Sequence, residues 1–120
     1  YNKRKRKIPM YKIEHYLTEN GKDIVQDYLD AMRDLRAHVR ILRRIDRVEQ
    51  GNFGDCKRLS EGLFELRIDV GAGYRVYYTQ MEDRLILLLC AGDKKSQSAD
   101  IVRSEAFRQD YISRMEVKND

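Results

Sequence analysis

With 120 residues, 42% of them hydrophobic and 37% charged, and a single proline, the chain has the make-up of one small globular domain. That composition excludes collagen-like and Pro/Gly-rich disordered classes, and the longest apolar run, residues 85–91, is too short to cross a bilayer. The formal charge of +4 is concentrated in Lys3, Arg4, Lys5, Arg6 and Lys7; without them the balance is one negative charge in excess.

Residues 1–9 therefore read as a basic arm, either a grip for polyanions or an extension, ahead of a single domain at 10–118. The arm runs straight into Tyr11-Lys12-Ile13-Glu14 with no apolar signal segment, and the two cysteines, Cys56 and Cys90, supply neither a disulfide framework nor zinc-type spacing. The expectation is a cytoplasmic protein with no cofactor, no metal and no membrane association.

Residues 10–18, rich in aromatic and β-favouring types, predict a first strand ended by Asn20-Gly21. Ile24, Val25, Tyr28, Leu29 and Met32 then follow helical spacing, with Asp23 at the start, where an acid suits the helix dipole. A second helix is predicted from about Leu35 to Glu49, stopped by Gly51. Its expected core side is Leu35, Val39, Leu42 and Ile45, widened by Ile41 and Val48, with Arg36, Arg40, Arg43 and Arg47 opposite. From Leu63 the period changes to two: Phe64, Leu66, Ile68 and Val70 alternate with Glu65, Arg67 and Asp69. Gly71-Ala72-Gly73 supplies a turn, Tyr74 to Thr79 a second alternating strand, and Glu82-Asp83 another turn. Residues 85–91 form a strand apolar on both faces, suited to a sheet interior. A last helix is predicted from about Ala99 to Met115. The order β-α-α-β-β-β-α describes an α+β domain: an antiparallel-rich sheet, a helical hairpin on one face and a C-terminal helix, with helices mainly on one side.

In that arrangement Glu65, Arg67 and Asp69 face away from the helical hairpin, and pairing across the glycine turn sets Arg67 near Arg75, with Glu65 and Tyr77 further along. The loop 92–97 can add Lys94, Lys95 and Gln97 to the same rim. Fixed cations, one carboxylate and one phenol on an open sheet surface suit RNA cleavage by its own 2′-hydroxyl. Guanidinium and ammonium groups would stabilise the pentacoordinate phosphorus state, Glu65 would take the 2′ proton, and Tyr77 or a lysine would protonate the leaving 5′ oxygen.

These segments resemble the RelE/ParE superfamily of toxin–antitoxin toxins, and within it the HigB-like "addiction module killer protein" branch. The resemblance rests on Leu63-Phe64-Glu65-Leu66-Arg67-Ile68 through Gly73-Tyr74-Arg75-Val76-Tyr77-Tyr78, and on Gly92-Asp93-Lys94-Lys95-Ser96-Gln97 with Asp100-Ile101. It spans residues 10 to about 112 in order and spacing. It implies a RelE-like fold and a metal-independent, ribosome-dependent mRNA endonuclease (mRNA interferase) that inhibits translation. It also implies a cognate antitoxin, often of helix-turn-helix type, through which alone operator DNA is met.

The family's catalytic arginine falls on Arg75; its basic strand positions fall on Glu65 and Arg67, of which only the second is basic here. The basic residue after the loop glycine falls on Lys94, with Lys95 beside it, and the C-terminal tyrosine of some relatives has no counterpart near Asp100 or Ile101. The expected site is thus catalytic Arg75, Arg67, Glu65, Tyr77 and Lys94, with RNA phosphate on Lys95, Gln97, Arg36, Arg40, Arg43 and Arg47.

Plainer roles compete. The arginine stripe can be a solvated helix face, and Arg67 and Arg75 can simply pair with Glu65 and Asp69. Tyr74 and Tyr78 suit the core, Cys56 and Cys90 suit packing, and His15 and His38 suit structural or surface positions. Two other functions stay open: a ParE-like gyrase inhibitor without nuclease chemistry, and a degenerate antitoxin-binding module acting only in autorepression.

Overall fold

A computed structural model describes residues 8–119. Residues 3–7, the basic arm's cations, lie outside the described residues. Eight elements follow in order: β1 (Lys12–His15), α1 (Ile24–Ala31), α2 (Leu35–Glu49), β2 (Cys56–Ser60), β3 (Leu63–Ile68), β4 (Tyr74–Met81), β5 (Leu85–Asp93) and α3 (Gln97–Lys118). The five strands form one sheet in the order β1-β5-β4-β3-β2. It is antiparallel except where β1 runs parallel to β5. The mixed α+β architecture is that of a small RelE-like fold.

The helix starts obey local chemistry. Asp23 caps α1 by accepting from the Gln26 N–H at 2.9 Å, and Asp34 caps α2 through the Ala37 N–H at 3.0 Å. His15 ties β1 to the first cap, its Nδ1 2.9 Å from Asp23 Oδ2. β5 is buried along nearly its whole length, as an interior strand between β1 and β4 must be.

Two apolar layers flank the sheet. On one face α1 and α2 cover Leu66, Ile68, Tyr74, Val76, Tyr78, Ile86 and Leu88. On the other, Ile101, Phe107 and Tyr111 of α3 pack against Tyr16, Leu63, Leu87 and Leu89. The helices therefore lie on both faces, not mainly on one. The charged face expected to stay open is the floor for α3.

Two further expectations are corrected. β2, which the expected order lacks, is an exposed, polar edge strand with no apolar alternation. The core side of α2 is also rotated. Ala37, Ile41 and Val48 are buried, whereas Leu35, Val39 and Leu42 are exposed. The cause is Arg44, whose guanidinium turns inward and donates to the carbonyls of Arg67, Phe53 (2.9 Å) and Asp55 (3.0 Å). Those bonds fix the helix azimuth, and small Ala37 lets it approach closely.

Candidate functional site

The hairpin register is the expected one: Arg67 lies opposite Arg75 and Glu65 opposite Tyr77. Directly opposed like charges are unfavourable in a sheet unless each is compensated. Here each guanidinium has its own carboxylate. Arg67 Nε donates to Glu65 Oε1 at 3.0 Å, and Arg75 Nη1 donates to Asp69 Oδ1 at 3.3 Å and to the Tyr74 carbonyl at 2.9 Å.

The two ion pairs sit in different surroundings. Glu65 is fully buried and also accepts from Gln97 Nε2 at 2.7 Å. Burial opposes its ionisation, but the Gln97 and Arg67 hydrogen bonds and the nearby Arg75 outweigh it and hold the carboxyl below its usual range. The Arg75 side chain is only 6% exposed, whereas Asp69 is 65% exposed. The loop following β3 thus closes the inner guanidinium with a carboxylate that itself stands in solvent.

Both expected proton carriers lie under cover. Glu65 is a buried carboxylate held ionised and hydrogen-bonded by both Arg67 and Gln97. Tyr77 is fully buried, and among the described residues its hydroxyl meets no partner at hydrogen-bond geometry. Desolvation, with Glu65 and Asp100 nearby, pushes its phenol far above the ordinary value. Arg75, expected on open ground, is largely enclosed as well.

The cover comes from the start of α3. Asp100 is buried and accepts from Ser96 Oγ at 2.5 Å. Its Oδ2 fills the place of a side chain at Gly92, where a Cβ would lie 1.9 Å from it. Gly92 pairs with Arg75 across β4 and β5, so a missing side chain on the sheet lets the helix sit down over the arginine. The sequence signal was the glycine opening the second motif. Expected at the start of the loop 92–97, it lies within β5 as a contact point for the helix.

The remaining expected residues are distributed unevenly. Lys94 lies over Gly73 of the hairpin turn, whose added Cβ would meet the lysine side chain at 3.0–3.1 Å. That sets a cation beside the Arg75 end of β4. Lys95 is exposed beside Lys94 in the turn between β5 and α3, and Gln97 spends its amide on Glu65. Arg36, Arg40, Arg43 and Arg47 are all exposed on α2. Arg40, Arg43 and Arg47 line a cleft of about 310 Å³ with Arg44, Ile68 and Asp69. Asp69 therefore borders both this cleft and Arg75. The pairing of Arg67 and Arg75 with Glu65 and Asp69 is the one the sequence offered, whereas Arg44 and Asp100 were missed as organisers of the site.

Tyr74 and Tyr78 belong to the core, and Cys90 is buried. Cys56 is exposed on β2, contrary to its expected packing role, with Sγ 3.4 Å from Tyr78 Oη. Among the described residues no three His, Cys, Asp or Glu side chains converge as a metal-binding group, and no helix is long and apolar enough to cross a membrane.

A five-stranded sheet with a helical hairpin on one face and a C-terminal helix on the other is compatible with a small RelE-like fold, and the cross-strand arginine pair lies beside a lysine-bearing turn. Comparison with known proteins agrees. The chain belongs to the family described as Phage derived protein Gp49-like (DUF891), which matches residues 27–108. This is a toxin–antitoxin family, and membership implies a cognate antitoxin. A protein of Haemophilus influenzae described as uncharacterized is 46% identical over 83 residues, covering 69% of this chain and 84% of its own length.

Proposed function

We propose that this chain is the toxin of its module and acts as a ribosome-dependent mRNA endonuclease, with Arg75 and Arg67 stabilising the charge that develops on the phosphodiester. The observation that supports this reading is the opposed arginine pair with Asp69 as its exposed counterion. An ion pair with one partner in solvent is weak, so an RNA phosphate can displace Asp69 while the Tyr74 carbonyl keeps the Arg75 guanidinium aimed. Arg67, held from behind by Glu65, meets the same phosphate from the neighbouring strand. Lys94 and Lys95 then hold the flanking backbone.

Charge stabilisation and in-line alignment carry the rate, because Glu65 and Tyr77 are sealed away from the reacting atoms. A well-placed donor of this kind is worth about 3–4 kcal/mol, or roughly 10²–10³ in rate. The 2′-hydroxyl oxygen attacks phosphorus as its proton passes to solvent water, the P–O5′ bond breaks, and the leaving 5′ oxygen takes a proton from the exposed Lys94 ammonium or from water, giving a 2′,3′-cyclic phosphate and a 5′-hydroxyl. DNA lacks the attacking group and stays intact.

Burial of both proton carriers favours a second reading, a module that binds its antitoxin or gyrase without chemistry. Induced expression of the wild type and Arg75→Ala, followed by mapping of mRNA 5′ ends, separates the two. The nuclease reading expects new message ends and arrested growth that disappear together in the variant. Arrest with intact message and broken DNA moves the assignment to gyrase. Undisturbed growth with the wild type leaves the binding module.

A further inference from the structure

Arg40, Arg43, Arg44 and Arg47 converge on one cleft, where Asp69 supplies the single carboxylate among the lining residues. None of the four arginines makes a salt bridge among the described residues. Arg44 cannot turn away, because three backbone carbonyls hold its guanidinium. Burial and the neighbouring Arg47 charge push its ionisation below the usual value, although Asp55 and Asp69 favour the cation.

Four like charges around about 310 Å³ repel one another, and a ligand with several closely spaced negative charges relieves that repulsion. Guanidinium forks match phosphate oxygens two at a time. A polyphosphate packs its charges into such a volume. An RNA strand spreads them one to a nucleotide, and a peptide carboxylate brings only one.

The cleft and the opposed arginine pair lie on opposite faces of the sheet. Arg75 pairs with Gly92 beneath α3, whereas Ile68 of the cleft is covered by the helical hairpin. Asp69, one residue past β3, stands between them, lining the cleft while its Oδ1 lies 3.3 Å from Arg75 Nη1. Two attractions therefore compete for one exposed carboxylate. Without a ligand, the cations of the cleft draw Asp69 away from Arg75. A bound polyanion neutralises those cations and presses the same carboxylate onto Arg75.

We propose that this cleft binds a polyphosphate, free or as the phosphate chain of a nucleotide, and that its occupation closes Arg75 to RNA through Asp69. The coupling rests on the nuclease reading of Arg75, whereas the binding site does not.

The test uses the purified full chain at constant ionic strength. Titration calorimetry should show saturable binding of inorganic tripolyphosphate, with orthophosphate about 10-fold weaker or worse. Arg40→Gln and Arg47→Gln should each weaken tripolyphosphate about 10-fold. Arg36→Gln removes the same charge from the same helix outside the cleft, and should change the affinity less than about 2-fold. All three side chains are exposed, so thermal unfolding of the ligand-free variants should match the wild type. ATP and GTP identify the source: binding as tight as tripolyphosphate assigns a nucleotide's phosphate chain, and much weaker binding assigns the inorganic chain. A short RNA made uncleavable by 2′-deoxy substitution reads the coupling by fluorescence anisotropy. Tripolyphosphate should weaken that RNA about 5-fold or more, and the RNA should weaken tripolyphosphate by the same factor. In Asp69→Asn, tripolyphosphate still binds but the mutual weakening disappears. Competition that survives in Asp69→Asn, with RNA affinity lost in Arg40→Gln and Arg47→Gln, makes the cleft part of the RNA track and overturns the proposal. Equal losses in Arg36→Gln and Arg47→Gln overturn it too, as does a wild type that binds no tripolyphosphate. Tripolyphosphate binding involves no cleavage, so failure of the nuclease reading is seen separately, in unchanged message ends.

Discussion

Replacing Arg44 by methionine keeps most of the aliphatic stem and removes the guanidinium that donates to Arg67, Phe53 and Asp55. A hydrogen bond to a charged group contributes about 1.5–3 kcal/mol, and a carbonyl left unpaired loses more when water cannot reach it. The Asp55 carbonyl lies at an exposed position, where water takes over the lost donor; those of Arg67 and Phe53 are part-buried. Counting those two at the low end gives a loss of about 3 kcal/mol. For a domain of this size that lowers the melting temperature by roughly 10 °C. Arg43→Met, one position earlier on the exposed flank, is the control and should change stability by less than about 0.5 kcal/mol. Urea unfolding followed by circular dichroism measures both. Equal stability of the two variants would refute the claim that Arg44 sets the rotation of α2.

The same rotation predicts that Ile41→Ala costs about 3 kcal/mol, whereas Leu35→Ala stays within about 0.5 kcal/mol, measured by chemical unfolding. Gly92→Ala drives a methyl group into the Asp100 carboxylate and should cost about 1–3 kcal/mol. In a double-mutant cycle, adding Asp100→Ala should recover part of that loss; strict additivity would show that the two do not touch. Glu65 ionises below its ordinary value of 4.5 in the folded chain, so the unfolded chain takes up protons first as pH falls. Its stabilisation is complete above about pH 5 and disappears as pH drops through the folded value, with Asp110, which accepts from Tyr16 Oη at 2.6 Å, acting in the same direction. The stability gap between the wild type and Glu65→Gln should therefore narrow below pH 4; a gap independent of pH would contradict an ionised Glu65.

The hairpin was legible because period-two alternation and a glycine turn determine register: once Leu66 and Ile68 face inward, Arg67 must meet Arg75. The start of α1 at Asp23 and the extent of α2 are likewise local chemistry. The α2 azimuth was not legible, since residue hydrophobicity ranks Leu35 and Val39 above Ala37. Nothing local says that Arg44 finds three carbonyls 9 to 23 residues away. The edge strand Cys56–Ser60 lacks alternation because it buries almost nothing. The candidate site was half legible. Which residues share a sheet face follows from parity, but whether that face is open depends on α3. A face mixing Glu65, Arg75 and Tyr77 with Leu63 and Leu87 gives no warning that a helix covers it.

The pairing of β1 with β5 also governs how the molecule comes into being. The only sheet neighbour of the first described strand lies about 70 residues further along, and the floor of the α1–α2 pair is built from segments made after both helices. At roughly 5–20 residues per second, a ribosome needs about 4–15 s to supply that neighbour. Through that interval the early strand has no ladder to join and the helices no surface to settle on. Folding must therefore wait for late translation, and closure of the parallel pair is a long-range event that slows it further.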